Sequence, residues 1–266
     1  MSPVTPTPAE LADLSDRAAI VTGGSRGIGY AIAAELLARG ASVTITARKP
    51  DELAASVEQL AASVPDGDKR VIGLPGNAGD PESRAQTVAR TVQRFGRLDI
   101  LVNNAGVNPV YGPLMDADLE GVRKVFDINV VACLGYLQEA YRAWMGKHGG
   151  AVVNLASTAG LRSTGVIAAY GASKAALIRL TEELAAQLGP KIRVNAVAPA
   201  VVKTKFATAL YADREEETAR AYPMRRLGNP EDVASLVGFL VSDASSWITG
   251  ETVRVDGGVL ATGNLG

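Results

Sequence analysis

The chain is poor in the residues that commit a protein to disulfides, metal clusters or histidine chemistry. Cys133 is the only cysteine among 266 residues, which excludes an internal disulfide and a cysteine-based metal site and fits a reduced, cytoplasmic setting. His148 is the only histidine, so any imidazole-dependent step must pass through it. The formal net charge is −1, and nothing in that balance favours nucleic acid or an acidic membrane surface. No apolar run approaches the roughly 20 residues of a membrane span. Aromatic residues make up 5%, leaving Ala, Val, Leu and Gly to form a core suited to close helix-on-sheet packing. Residues 1–10 are rich in Pro and Thr and lack the basic and apolar regions of a secretory signal. Residues 1–16 are expected to form a mobile tail, followed by a single domain over 17–266.

What is present is a repeating alternation. The run Ala18-Ala19-Ile20-Val21-Thr22 reads as a buried parallel strand. A glycine-rich turn and a helical segment to Arg39 follow, ending at Gly40, a helix stop. Further strands are expected over 42–46, 70–74, 98–103, 151–155, 192–198 and 251–255. Helices are expected over 51–63, 81–95, two stretches within 116–147, one carrying Tyr170 to about Gly189, and 231–241. Residues 203–222 are polar and read as an irregular, mobile segment. Strands separated by helices predict an α/β fold, a Rossmann-type doubly wound parallel sheet of about seven strands flanked by helices. Ligands in such sheets bind at the carboxyl ends of the strands, where the turns after the first, fourth, fifth and sixth strands lie.

The first turn, Thr22-Gly-Gly-Ser-Arg-Gly-Ile-Gly29, sits between strand and helix, the context a dinucleotide phosphate loop requires. Gly23, Gly27 and Gly29 let the backbone turn tightly beside a pyrophosphate, and the helix start offers free N–H groups and a positive dipole end. Ser25, Arg26 and Ile28 complete this candidate loop. The same letters, Gly23-Gly24-Ser25-Arg26-Gly27, match the nucleophile elbow of α/β-hydrolases. That reading needs a histidine base, and His148 falls at an expected helix end before the fifth strand, so it is the weaker one. An NAD site needs an acid about 20 residues past the turn. Ala47 and Arg48 stand there instead. Arg26 and Arg48 without an acid suit a 2′-phosphate, which guanidinium groups bind through bidentate charge-assisted bonds. The cofactor expected is therefore NADP(H).

Tyr170 and Lys174 are four apart on an expected helix and share a face. An ammonium about 5 Å from the phenol, at an effective dielectric of about 20, contributes roughly 3 kcal/mol, or about two pK units. The pair is expected to bring the phenol from about 10 toward neutral pH.

With these pieces placed, the chain resembles the short-chain dehydrogenase/reductase family beyond the tail. The resemblance rests on Thr22 to Gly29, Asn103-Asn104-Ala105-Gly106, Asn129, Ser157, Tyr170-x-x-x-Lys174, and Pro199 with Thr204. It implies an oxidoreductase acting on CH–OH/C=O. Tyr170 would be the acid that protonates a carbonyl oxygen, or the base in reverse, and Ser157 would hydrogen-bond the same oxygen. Lys174 would hold the nicotinamide ribose and depress the Tyr170 pKa, and Asn129 would anchor a proton-relay water. Asn104, Ala105 and Gly106 would border the adenine ribose. Pro199, Val202 and Thr204 would lie by the nicotinamide, with Thr204 at its carboxamide. The family usually has Asp-Val against the adenine; Asn77-Ala78 stand here. It usually has Pro-Gly after the sixth strand; Pro199-Ala200 stand here.

Leu227 to Asp232 and Ile248 to Val253 look like the C-terminal motifs of 3-oxoacyl-carrier-protein reductase-like members and NADP carbonyl reductases. The resemblance implies a small-molecule carbonyl or acyl-thioester substrate, and a homotetramer assembled through the helices after the fourth and fifth strands. Specificity is expected in residues 108–112, 161–167 and 203–224, whose apolar side chains suit a hydrophobic or medium-chain carbonyl. Two alternatives stay open: an NAD-dependent secondary-alcohol dehydrogenase, and a non-catalytic dinucleotide-sensing protein.

Overall fold

The structure, a computed structural model, describes residues 5–262. Residues 1–4 of the expected tail and 263–266 of the expected domain lie outside the described residues. Seven strands form one parallel sheet: β1 (Ala18–Val21), β2 (Ser42–Ala47), β3 (Val71–Pro75), β4 (Ile100–Asn103), β5 (Gly150–Leu155), β6 (Ile192–Pro199) and β7 (Thr252–Val255). Their order is β3-β2-β1-β4-β5-β6-β7, so the connection reverses between β1 and β4, and a crevice opens there at the carboxyl edge. The register pairs Val21 with Ile45 on one side and with Val102 on the other, which brings the turns after β1 and β4 side by side.

The helices are α1 (Pro8–Ala12), α2 (Gly27–Ala38), α3 (Pro50–Ala62), α4 (Gly67–Arg70), α5 (Pro81–Phe95), α6 (Leu119–Phe126), α7 (Ala132–Ala140), α8 (Gly146–His148), α9 (Ala168–Leu188), α10 (Glu215–Arg220) and α11 (Pro230–Val241). β1 and β4 are buried at every position, as strands covered on both faces must be. On one face Ile32, Leu36, Leu37, Val237 and Leu240 pack on Val21, Val43 and Val102. On the other, Val88, Tyr136, Leu137 and Met145 pack on Ile20, Leu101 and Val152.

Three stretches depart from expectation. The tail assigned to 1–16 is in part structured. Thr7 and Glu10 cap α1 reciprocally, and Leu14 is fully buried, with its N–H donating to the Arg39 carbonyl at 2.8 Å. One buried leucine is worth about 2 kcal/mol, enough to hold a short segment against the sheet. Within 116–147, α6, α7 and α8 form one rod interrupted by two wide π turns, Asp127–Val131 and Tyr141–Met145. The segment 203–222 contains a 3₁₀ turn, Thr208–Leu210, and α10, and is pinned where the Val201 N–H donates to the Tyr222 hydroxyl at 3.3 Å.

Candidate active site

The turn between β1 and α2 is drawn tight by Gly23 and Gly27, at φ 66° and 54°, values that glycine adopts without strain. A β-carbon on Gly29 would lie 2.3 Å from the Gly23 carbonyl oxygen and 2.4 Å from Asn104 Nδ2, so only glycine fits this cradle. Arg26 occupies the N-cap of α2 without a side-chain cap, leaving the first-turn N–H groups for an anion. Thr22 Oγ1 accepts from the N–H groups of Asn104 and Ala105 at 3.0 Å each. Asn104 Nδ2 donates to the carbonyls of Thr22 and Gly23 at 2.9 and 3.1 Å. The two crevice turns are thereby laced together.

Across the sheet, Asn103 Nδ2 donates to Asn154 Oδ1 at 2.9 Å, and Asn154 Nδ2 to Thr181 Oγ1 at 2.9 Å. Ser157 follows β5, and its Oγ accepts from the Ala159 N–H at 3.1 Å. Tyr170 and Lys174 come from α9. Their elements meet through two glycines: a β-carbon on Gly160 would lie 2.7 Å from the Lys174 backbone, and one on Gly171 2.7 Å from the Ala159 carbonyl oxygen. That approach sets Ser157 beside Tyr170. Sequence reading passes over Gly160 and Gly171, because their role exists only once α9 packs on the turn after β5.

Lys174 is buried; its Nζ donates to the Leu155 carbonyl at 2.6 Å and lies 5.5 Å from the centre of the Tyr170 ring. Burial lowers the ammonium to about 8. Burial likewise pushes the partly exposed Tyr170 phenol up to about 12; the Ser157 hydroxyl opposes this and Tyr111 adds to it. The expected depression of Tyr170 by Lys174 is thus absent: loss of hydration outweighs the cation, which is turned to a carbonyl. Tyr170 holds its proton at neutral pH. Burial also raises the Cys133 thiol to about 11, so it is no nucleophile there.

Asn129 sits in the first π turn, fully buried. Its Oδ1 accepts from the Val107 N–H at 2.9 Å, and its Nδ2 donates to the Val107 carbonyl and to Ser173 Oγ, both at 3.0 Å. Ser173 Oγ in turn donates to the Tyr170 carbonyl at 2.7 Å. Both amide hydrogens are therefore taken by protein. Asn129 clamps the turn after β4 onto α9, and one Oδ1 lone pair is left for a water. A β-carbon on Gly106 would lie 3.3 Å from that oxygen and 3.7 Å from Lys174 Nζ.

The remaining expected contacts fall as follows. Thr204 covers the phosphate turn, its methyl 3.1 Å from where a Gly27 β-carbon would stand. Val202 is buried in the first core, so only its backbone can reach a ligand. Ile28 also packs on that core. The Ser25 carbonyl accepts from Ser56 Oγ at 2.8 Å, which ties α3 to the phosphate turn. Arg48 is exposed beside it. Asn77 Oδ1 is engaged by the Gly79 N–H at 3.1 Å, and the Ala78 carbonyl by Arg84 at 2.8 Å. The Pro199 carbonyl lies 3.5 Å from Ser157 Oγ. Ala200 is not among the described non-glycine residues with positive φ, which are Asp16, Asp66 and Arg225, so its β-carbon imposes no strain. His148 is exposed and stacked on Trp144 at 3.9 Å. It precedes β5 at the sheet edge opposite the phosphate turn, which leaves Ser25 without a base.

Large apolar side chains rim the crevice. Tyr111, Val166 and Phe206 are each about half exposed. The Phe206 ring is 6.0 Å from that of Tyr170, and the Gly112 N–H donates to the Val166 carbonyl at 2.9 Å. The glycine cradle, the uncapped helix start and the buried lysine fit a dinucleotide.

Comparison with known proteins agrees. A family model described as enoyl-(acyl carrier protein) reductase matches residues 23–260. Dehydrogenase/reductase SDR family member 4 of Homo sapiens is 40% identical over 248 residues, 92% of this chain and 88% of that protein. Tropinone reductase-like 3 of Erythroxylum coca is 38% identical over 91% of this chain and 92% of that protein. A solved short-chain type dehydrogenase/reductase from Mycobacterium ulcerans superposes with a TM-score of 0.89 at 35% identity, covering 94% of this chain and 91% of that one. The chain belongs to the short-chain dehydrogenase/reductase family, oxidoreductases that use nicotinamide dinucleotides on small-molecule substrates.

Proposed function

We propose that the protein is an NADPH-dependent reductase that converts a ketone or 3-oxoacyl carbonyl to a secondary alcohol, reversibly. The observation that carries this reading is a proton-bearing Tyr170 beside Ser157 and a buried Lys174, at the sheet edge that holds the phosphate cradle. The nicotinamide, when bound, supplies the hydride. Tyr170 Oη gives its proton to the carbonyl oxygen as the carbonyl carbon is reduced, and Ser157 Oγ donates to the same oxygen. Lys174 would hold the ribose hydroxyls of the dinucleotide, and its ammonium would stabilise the phenolate that proton transfer leaves behind. Asn129, through Ser173 and Val107, fixes α9 against the turn after β4.

NADP(H) is favoured by Arg26 and Arg48 and by the lack of an acid at Ala47. Glu52 Oε2 stands 3.8 Å from Arg26 Nη1 and speaks for the second reading, an NAD-dependent secondary-alcohol dehydrogenase. The plant relative is named for a ketone, which supports a carbonyl substrate. The description of the matching family names an enoyl-(acyl carrier protein), which supports the acyl-thioester class but whose reduced bond is C=C. The apolar rim suits a hydrophobic one. A homotetramer is proposed on the exposed apolar residues of the α6–α7 rod, Leu119 and Val131, with sedimentation as its test. A cytoplasmic location rests on the single buried cysteine; no helix of the described residues is long and apolar enough to cross a membrane.

Initial rates with NADPH and NADH against hydrophobic ketones and a 3-oxoacyl thioester test the reading. NADPH turnover with at least one of them is expected. A large NADH preference overturns the cofactor assignment, and no turnover of any carbonyl favours a dinucleotide sensor.

A further inference from the structure

Glu52 stands among cations in the first turn of α3. Its Oε1 accepts from Lys49 Nζ at 2.7 Å, its Oε2 faces Arg26 Nη1 at 3.8 Å, and Arg48 is exposed just before the helix. The hydrogen bond from Lys49 chiefly lowers the Glu52 carboxyl, with Arg26 and Lys205 adding to it. Lys205 comes from the far side, next to the Thr204 that covers Gly27. Ser56, one turn along α3, shares its single hydroxyl proton between the carbonyls of Ser25 and Glu52, at 2.8 and 2.7 Å, which fixes the helix end against the phosphate turn. Cations from three separate segments thus surround one carboxylate.

Helix capping does not account for this carboxylate. Glu52 is the third residue of α3, as Asp232 is of α11, and both helices begin with proline. Asp232 pairs with Arg226 but also caps its helix, accepting the Asn229 N–H at 2.8 Å. Glu52 instead reaches the Lys49 side chain and Arg26, while Asp51 beside it is left to meet the helix dipole.

We propose that Glu52 is a built-in competitor for the 2′-phosphate of the dinucleotide, holding Arg26 and Lys49 in its absence and so setting how strongly the protein separates dinucleotides that carry that phosphate from those that do not. The proposal rests on the NADP(H) reading, because it gives the cation cluster a phosphate to receive. Binding costs the exchange of one anion for another, and Glu52, held on α3, remains close enough to repel the incoming group. Arg26 and Arg48 without Glu52 would give a stronger preference than the three together.

The test is calorimetric titration of the full chain and of Glu52→Gln with adenosine 2′,5′-bisphosphate and adenosine 5′-monophosphate, which differ only in the 2′-phosphate. The expected result is that Glu52→Gln raises the preference for the bisphosphate about fivefold at low salt, with the monophosphate unchanged and the gain shrinking in 0.5 M salt. An unchanged preference makes Glu52 an ordinary helix-end acid and overturns the proposal. A reduced preference means Glu52 positions the cations for the phosphate, and overturns it as well. Failure of the underlying reading looks different: the unsubstituted protein then binds the monophosphate as tightly as the bisphosphate, whatever Glu52→Gln does.

Discussion

At the base of the crevice, by β1, β4 and β5, Thr22, Asn103, Asn129 and Asn154 are buried and hydrogen-bonded to their neighbours, whereas at its rim Tyr111, Val166 and Phe206 turn large apolar surfaces to solvent. The base carries three sets of buried bonds, Thr22 with Asn104 and Ala105, Asn103 with Asn154 and Thr181, and Asn129 with Val107 and Ser173; such polar networks hold groups in fixed positions. The rim is held by backbone bonds, among them that from the Gly112 N–H to the Val166 carbonyl, and its exposed side chains are free to adapt. Proton transfer demands sub-ångström placement, and substrate selection demands shaped apolar surface. On the proposed function, these two demands fall to different walls, the base and the rim.

The comparison is broken most severely at the proton. Tyr170→Phe keeps the ring and its contact with Phe206 but removes the donor, and kcat for carbonyl reduction is expected to fall about 10³-fold with dinucleotide affinity unchanged. Stopped-flow and equilibrium titration read the two quantities; an unchanged kcat would sink the mechanism. Next in size is the network itself. Asn154→Ala removes one partner each from Asn103 Nδ2 and Thr181 Oγ1 in a buried site, leaving them the Cys133 and Leu177 carbonyls, at a cost of about 2 kcal/mol. A fall in Tm of about 6 °C is expected by calorimetry; a fall under 1 °C would mean the network is not what holds this wall.

The networked wall was also the more legible one in sequence. The phosphate turn and the Tyr170/Lys174 pair are readable because their function depends on local spacing: a strand-to-helix turn, and four residues on one helix face. Asn129, Ser157 and Thr204 become readable only when those local signals are combined in chain order. Properties set by packing were not legible. Whether Lys174 lowers the phenol or burial raises it depends on desolvation that no spacing encodes, and burial wins. The partners of Asn129, the contact through Gly160 and Gly171, and the wide turns in the rod are equally tertiary. At the N-terminus, Pro and Thr signal a tail, yet one leucine placed over the sheet outweighs them.

The pH dependence separates Lys174 from Tyr170. Lys174 titrates at about 8 because burial disfavours its charge, and the reduction rate is expected to fall about tenfold per pH unit above that value as the ammonium is lost. Tyr170, raised to about 12, stays protonated throughout this range, so the limb belongs to the lysine. Lys174→Arg should retain charge and move the limb beyond pH 10, even at a lower plateau; a limb still near 8 would reassign it. Stability should follow a different course. Between about 8 and the ordinary lysine value near 10.4 the unfolded chain binds more protons at this site, so its contribution to stability rises with pH. For Tyr170 the folded chain binds more between about 10 and 12, and its contribution is lost as pH rises through that window.

The smallest effect is expected on the adaptable wall, and it tests whether that wall selects substrate at all. Phe206 is 52% exposed and its ring meets that of Tyr170 at 6.0 Å with a 48° tilt. Removing an aromatic ring that a bulky apolar substrate would cover forfeits about 1 kcal/mol of contact, close to a fivefold change. Phe206→Ala should therefore raise KM about fivefold for a bulky hydrophobic ketone and leave kcat/KM for a small one unchanged, with Tm within 1 °C of the parent. Because the residue touches the catalytic ring, a structural role predicts another pattern: kcat would fall equally for every substrate as Tyr170 lost its lateral support. If that uniform loss were measured, Phe206 would belong with the positioning residues, and the boundary between the two walls would run through Tyr170 itself.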